Sequence, residues 1–274
     1  MCLIAFSWMP GSDMPLLLLA NRDEFYARPT APAEWWAEAP GVWAGRDLQA
    51  GGTWMGVTQT GRFAALTNFR DGRALRLAAS SRGHLVADFL AGDVPTDVYM
   101  RGVSANGGAY NGFNLVAGSI YGTAAEPAQL WYCGNQPGGQ ARALAPGLYG
   151  LSNAVLDTPW PKLTRLKARL AGVSTGNDDL IDASMAFLSD PTPAEDDALP
   201  ATGVPLERER MLSPIFIVTP EYGTRAQTVL RADGSGRIDA TERSYESAAA
   251  AKALLPDTLR RMRFRVQRPG EAPR

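Results

Sequence analysis

The chain opens with two apolar runs of strand length, Cys2–Trp8 and Pro15–Ala20, separated by the turn chemistry of Pro10-Gly11-Ser12-Asp13. Continuous apolar runs with a turn between them predict a hairpin buried on at least one face. The apolar signal stops at Asn21-Arg22-Asp23-Glu24, four polar residues where a sheet usually presents functional groups. Residues 26–50 read as an irregular, Trp-rich segment holding Trp35, Trp36 and Trp43. A second hairpin follows, Gly52–Thr58 and Arg62–Thr67 across Gln59-Thr60-Gly61, ending in Asn68. Leu85, Val86, Phe89 and Leu90 recur at helical spacing, and Ser80 or Ser81 is the expected cap.

The second half repeats these signals. A helix is expected over residues 95–104, and strands over Phe113–Ile120, Gln129–Cys133 and Gly147–Asn153. Pro161 opens a helix whose apolar face is Leu163, Leu166 and Leu170. Residues 178–189 read as another helix, and the Pro/Asp/Glu-rich stretch 190–202 as an exposed loop. Pro214–Thr219 and Thr224–Ala232 read as strands, the latter paired with Arg237–Ser244 across Asp233-Gly234-Ser235-Gly236. A short Ala-rich helix and a basic tail, flexible over 264–274, close the chain. Hairpins early and late with helices grouped between predict an α+β fold of largely antiparallel sheets, read as a single domain over 1–274.

Composition narrows the chemistry. The 274 residues carry 27 Lys+Arg and 28 Asp+Glu, a net charge of −1, without the positive excess a nucleic-acid footprint needs. No apolar run approaches the roughly 20 residues of a membrane span. The basic flank of a secretory signal is missing, and two cysteines suit a reducing, cytoplasmic setting. With one histidine, His84, and Cys2 and Cys133 as the cysteines, a Cys/His zinc site needs carboxylates, and no metal site is expected. A hydrolase built from this inventory needs a base other than imidazole.

Cys2 supplies one. Met followed by a small residue is a usual substrate for initiator-methionine removal. Cys2 would then carry a thiol and a free α-amine of pKa about 7.7–8.0, able to serve as its own general base. By position alone, Cys2 reads equally as a small core residue at a strand start. An Arg-Asp-Glu run is usually a solvated turn, and Asn at a strand end is usually turn chemistry. His84, just inside a helix start, reads as a partly exposed structural residue, and Arg82 as the better grip for a carboxylate or phosphate. Trp35, Trp36, Trp43 and Trp54 suit either core or a ligand wall.

Met1-Cys2 with Asn21-Arg22-Asp23-Glu24 resembles the NRDE family, also called the transport and Golgi organization protein 2 family. The blocks Trp54-Met55-Gly56-Val57, Thr67-Asn68-Phe69-Arg70, Ser81-Arg82-Gly83, Tyr110-Asn111-Gly112-Phe113-Asn114, Gly150-Leu151-Ser152-Asn153, Trp160-Pro161-Lys162 and Tyr222-Gly223-Thr224-Arg225 extend the resemblance to about residue 230. That family is distantly similar to N-terminal nucleophile hydrolases of the choloylglycine hydrolase and penicillin V acylase type. The resemblance implies an αββα four-layer sandwich with Cys2 as nucleophile and Arg22 as the supporting guanidinium, expected to lower the thiol pKa from about 8.5. Asp23 or Glu24 would orient the α-amine. Asn68 and Asn153 would hold the oxyanion, and losing such a donor costs roughly 3 kcal/mol. Glu24, Arg82, Arg225 and Trp54 are expected around the substrate.

Two functions follow. One is a cysteine amidohydrolase acting on a small amide or acyl substrate without a cofactor. The other is a non-catalytic carrier on the same fold, since members of the resembled family are linked to haem mobilisation, lipid and acyl-CoA handling, and secretory-pathway organisation. A haem carrier wants an axial His, Cys or Met, and no CxxCH attachment motif is present.

Overall fold

The computed structural model describes residues 2–72, 80–122, 126–173 and 180–266. In chain order the strands are β1 (Cys2–Trp8), β2 (Leu16–Phe25), β3 (Thr30–Trp35), β4 (Val42–Asp47), β5 (Met55–Thr58), β6 (Arg62–Asn68), β7 (Phe113–Ser119), β8 (Gln129–Gly134), β9 (Arg142–Ala143), β10 (Gly147–Leu151), β11 (Tyr222–Ala232), β12 (Arg237–Ser244) and β13 (Thr258–Arg265). The helices are α1 (Gly83–Ala91), α2 (Thr96–Ala105), α3 (Pro161–Ala171), α4 (Leu180–Leu188), α5 (Leu206–Met211) and α6 (Ala248–Ala253). One sheet runs β10-β1-β2-β11-β12-β13 and the other β3-β4-β5-β6-β7-β8-β9, with antiparallel neighbours throughout.

Strand periodicity sorts the first hairpin into two cores. Ile4, Phe6, Trp8, Leu16, Leu18 and Ala20 face the second sheet, against Val57, Phe63, Ala65, Val116 and Tyr132. The alternate residues Leu3, Ala5, Leu17 and Leu19 lie under α3 and α4, against Leu163, Leu166, Leu170, Met185 and Leu188. On the far side Ala64, Leu66, Leu115 and Ala117 meet Leu85, Val86, Phe89 and Met100 of α1 and α2. The order is helix, sheet, sheet, helix, which is the expected αββα sandwich. It explains why β1 and β2 read as unbroken apolar runs: both faces of each are covered.

Several elements differ from their sequence expectation. Residues 26–50 are not irregular but contain β3 and β4, and a register shift between Ala31 and Glu34 hides the period. At that shift the Ala33 N–H leaves its own ladder and donates to the Glu242 carboxylate of β12 at 2.7 Å, tying the sheets together. Thr228 and Ser244 hydroxyls donate to the same carboxylate at 3.3 Å each. Pro214–Thr219 is not a strand: Ile215, Phe216 and Ile217 are buried as a plug, with Ile217 bonded to Thr224.

Ser80 and Ser81 do not cap α1. Arg82 takes the cap position with no side-chain bond, and the adjoining Gly83 is pressed against Gly52 and Thr53. The basic tail is partly a strand, with Phe264 opposite Ile238 and Arg265 opposite Arg237. Charged side chains along β13 suit a sheet edge that must not recruit another strand. Positions 267–274 of the expected tail, and 178–179 of the expected helix, lie outside the described residues. The 190–202 stretch is loop with a short 3-10 turn at Asp196–Ala198. Among the described residues no helix is long and apolar enough to cross a membrane.

Truncating Glu242→Ala leaves the buried Ala33 N–H without its acceptor. The expected loss is about 1–3 kcal/mol of stability, read by urea unfolding. An unchanged midpoint would remove this carboxylate as an inter-sheet tie.

Candidate active site

β2 does not end where its apolar residues end. It runs on through Asn21-Arg22-Asp23-Glu24 to Phe25, and Asn21, Arg22 and Asp23 are buried. The polar tetrad is therefore strand, not a solvated turn, because β1 flanks it on one side and β11 on the other. Cys2 stands opposite Arg22 in the β1–β2 register. The alternation that puts Ile4 and Ala20 between the sheets puts Cys2 and Arg22 there too, at the end of that layer.

On this face the Arg22 guanidinium lies 4.3 Å over the Trp54 ring, donates to Thr30 Oγ1 at 3.2 Å and stands 3.6 Å from Asp47. Asp47 also accepts from Arg28 Nε at 2.8 Å. Cys2, Arg22, Trp54, Met55, Leu66 and Thr228 surround a cavity of about 10 Å³, the size of one water. Burial pushes the Cys2 thiol above its ordinary range; Asp23 adds to the rise and Arg22 opposes it. This corrects the expected lowering: desolvation of the sulfur outweighs a guanidinium already shared with Asp47 and Thr30. Cys2 and Cys133 are both free thiols.

The other face of the same strand carries a second set. Asn21 Nδ2 donates to the Leu188 and Ile215 carbonyls at 2.9 and 2.8 Å, fastening α4 and the plug to the sheet. Asp23 Oδ1 accepts from Thr224 Oγ1 at 2.8 Å, and the Asp23 carbonyl accepts from the Tyr222 hydroxyl at 3.0 Å. Burial raises the Asp23 pKa, with Lys162 the leading opposing charge. Lys162 is 2% exposed, donates to the Leu212 carbonyl at 3.0 Å, and is pulled down to about 8 by burial.

Asn68 and Asn153 are brought together, but not at the Cys2 cavity. Asn153 Nδ2 donates to the Asn68 carbonyl at 2.9 Å. Arg70 donates to Asn153 Oδ1 at 3.3 Å and meets Glu209 at 2.6 Å. Glu209 in turn accepts from the Thr202 N–H at 3.0 Å and its hydroxyl at 2.5 Å. Beside this network opens a pocket of about 480 Å³ lined by Phe69, Arg70, Asn153, Trp160 and Thr202.

The remaining expected residues separate. Glu24 is half-buried, its carboxylate accepting the Phe25 N–H at 2.9 Å. Arg82 donates to the Gly112 carbonyl at 3.0 Å; burial lowers its pKa, and Cys2 and Glu24 counter the fall. Arg225 lines neither the Cys2 cavity nor the Asn153 pocket. It donates to the carbonyls of Tyr245, Phe25, Tyr26 and Arg28, and so clamps the turn after β2. His84 is exposed at the start of α1. Trp36 and Trp43 are core and Trp35 is partly exposed against Phe264, so the tryptophans form no common wall. Among the described residues no cluster of three or more His, Cys, Asp or Glu could hold a metal.

Residue reading singled out neither Lys162 nor Glu209 as part of the site. For Lys162 a signal existed: it shares the i, i+4 stripe of Leu166 and Leu170, so a lysine falls on the buried side of its helix. Its folded-state pKa lies below its ordinary value of 10.5. Between about 8 and 10.5 the unfolded chain holds a proton that the folded chain has released, so this group makes stability rise with pH there. Lys162→Met should abolish that rise, measured as urea midpoints at about pH 7 and about pH 10. A wild-type slope that survives the substitution would contradict the burial argument.

A family model described as Transport and Golgi organisation 2 matches residues 1–247. The Transport and Golgi organization protein 2 homolog of Bos taurus is 39% identical over 259 residues, covering 89% of this chain and 93% of that protein. The Homo sapiens homolog is 36% identical over the same length, with the same coverage. Among solved structures, a mutant conjugated bile acid hydrolase from Clostridium perfringens aligns over 95% of this chain and 92% of its own, with 9% identity and a TM-score of 0.45. The matching family model spans both faces of the Cys2–Arg22 strand pair and the Asn68–Asn153 junction, and the chain belongs to the Transport and Golgi organisation 2 family.

Proposed function

We propose that this protein is an amidohydrolase whose nucleophile is the Cys2 thiol, with its α-amine freed by removal of Met1. The observation that carries the reading is the register: Cys2 faces Arg22 across β1–β2, and Asp23 is the next residue of the same strand. The thiol attacks the substrate carbonyl while the α-amine accepts its proton and passes it to the leaving amine. The products are a thioester on Cys2 and a free amine; water, deprotonated by the α-amine, then hydrolyses the thioester.

Arg22 stabilises the thiolate at the moment of attack. Asp23 suits the role of orienting the α-amine better than Glu24, because it is buried and fixed by Thr224, whereas Glu24 is half-buried and bonded to its own turn. Of the two asparagines Asn153 is the oxyanion candidate, since it lines the 480 Å³ pocket; its Nδ2 is committed to the Asn68 carbonyl and that pocket is apart from the Cys2 cavity, so the role requires the two hollows to join when substrate binds. The cavity at the sulfur holds about one water, so the proposal commits to that cavity widening as substrate binds.

A carrier is the second reading. A cleft of about 470 Å³ lined by Phe25, Met211, Leu212, Pro220 and Tyr222 would suit the apolar part of a lipid or acyl-CoA. For haem, the axial-type side chain beside this cleft is Met211. Cys2 and Met55 share a cavity of about 10 Å³, too small for a macrocycle, and His84 is exposed on α1. Two buried free thiols suit the reducing, cytoplasmic setting proposed here.

Intact mass should show a chain shortened by Met1, and a thiol-reactive amide or acyl probe should label Cys2 in preference to Cys133. Cys2→Ala should abolish labelling and any amide turnover while unfolding at a similar denaturant concentration. A chain that keeps Met1, or that turns over substrate without Cys2, refutes the proposal. Tight, saturable binding of an acyl-CoA with no turnover would instead support the carrier.

A further inference from the structure

Arg22 is 5% exposed and stands opposite Cys2, yet the groups that grip its guanidinium belong to the other sheet. Thr30 of β3 and Asp47 of β4 are direct partners in the β3–β4 register, and each takes one end of it. Nη1 donates to Thr30 Oγ1 at 3.2 Å, and Nη2 stands 3.6 Å from Asp47 Oδ2. The Trp54 ring lies against the guanidinium at 4.3 Å. Asp47 is itself fixed: its Oδ1 accepts the N–H groups of Gln49 and Ala50 at 3.1 and 3.0 Å, and its Oδ2 accepts from Arg28 Nε at 2.8 Å. A turn role uses Oδ1 alone. Oδ2 is the oxygen turned towards both arginines, and one of these lines the Cys2 cavity.

We propose that Asp47 is a positioning residue of the Cys2 centre: with Thr30 it holds the Arg22 guanidinium at the edge of the second sheet, and so withholds part of that positive charge from the sulfur across β1–β2. The catalytic meaning of this assignment rests on the cysteine-nucleophile reading. A buried guanidinium without an anionic partner is costly, so it favours any anion that can form beside it. Two buried acids feel the Arg22 charge in this way, the Cys2 thiol and the Glu242 carboxyl of β12. The other charged or titratable groups that bear on the sulfur are the terminal amine, Asp23 and Glu24 of β2, Arg82 before α1, Lys162 of α3 and Tyr222 of β11. Arg225 of β11 bears on Arg22. Arg28 shares the Asp47 carboxylate, but it is 28% exposed to water and keeps Glu24 at 4.0 Å. Arg22 is therefore the group that the loss of Asp47 leaves uncompensated.

The test compares the full chain with Asp47→Asn, which keeps an oxygen for the Gln49 and Ala50 N–H groups but no charge, with Arg22→Gln, and with the double variant. The rate of iodoacetamide alkylation at Cys2, resolved from Cys133 by peptide mass, is followed against pH. Asp47→Asn should lower the midpoint by about half a unit to one unit. Below the midpoint alkylation then quickens about two- to fourfold, because a less basic thiolate is also a weaker nucleophile. Arg22→Gln should raise the midpoint, and on that background Asp47→Asn should change nothing.

A folded Asp47→Asn protein whose midpoint stays or rises overturns the proposal and leaves Asp47 as a turn residue. An equal fall with and without Arg22 overturns it too, since the carboxylate would then act on the sulfur directly. Should Asp47→Asn fail to fold, Thr30→Val loosens the same grip and must move the midpoint the same way; no movement refutes the proposal. Should Arg22→Gln fail to fold, or Cys2 resist alkylation, the Arg22 Nε–H decides by NMR at about pH 6, where the thiol is neutral. Its exchange with water should quicken severalfold in Asp47→Asn, and unchanged exchange refutes the grip. A wild-type Cys2 that resists alkylation at every pH sinks the nucleophile reading alone, since the Arg22 exchange still reports on Asp47.

Discussion

Strand β2 changes character halfway along its length while remaining covered on both faces, and the rest of the site follows from this. A carboxylate or guanidinium withdrawn from water without a partner costs several kcal/mol, a large share of a domain's net stability. Asn21, Arg22 and Asp23 must therefore be answered one by one. Arg22 is met by Thr30, Asp47 and the Trp54 ring; Asp23 by Thr224, with Lys162 nearby; Asn21 by the carbonyls of Leu188 and Ile215. These seven residues are spread along the chain from Thr30 to Thr224. Satisfying one polar strand end thus fastens the α3–α4 layer and the second sheet around it.

The period of a strand then divides the chemistry. Thiol and guanidinium lie between the sheets, and carboxylate and ammonium lie on the helix side. The main chain at the start of β1 is the place from which both faces can be reached, which suits an amine acting between them. The thiol itself is stabilised as a neutral group by burial, against the pull of Arg22. On the proposed hydrolase reading, such a thiol stays neutral at rest and depends on a base delivered at the moment of attack.

The two sizeable hollows near this strand have different character. The pocket beside Asn153 has Arg70 and Thr202 in its wall, whereas the cleft beside Tyr222 is mostly apolar. The apolar cleft is joined to β2 by Tyr222, whose hydroxyl donates to the Asp23 carbonyl, and to α3 by Leu212, whose carbonyl accepts from Lys162. The segment holding Thr202 through Leu212 forms a wall of each, latched by the buried Arg70–Glu209 pair.

Local periodicity along the chain was enough to determine the first hairpin, the β11–β12 hairpin, the apolar faces of α1 and α3, and the layered α+β class. Each of these is set by neighbours within a few residues or by one repeating stripe. The family resemblance proposed Cys2, Arg22, Asp23 and the two asparagines as one site, and the structure sets Asn68 and Asn153 apart from the Cys2 cavity. Only the tertiary structure decided which face each one takes, that Arg225 clamps a turn, that Pro214–Thr219 plugs rather than pairs, and that Lys162 is buried against the Leu212 carbonyl. Those outcomes depend on partners more than a hundred residues away in several cases, such as Thr224 for Asp23 and Glu242 for Ala33. A residue's charge can be read from its letter, but the cost of burying that charge is fixed by what the folded chain brings beside it.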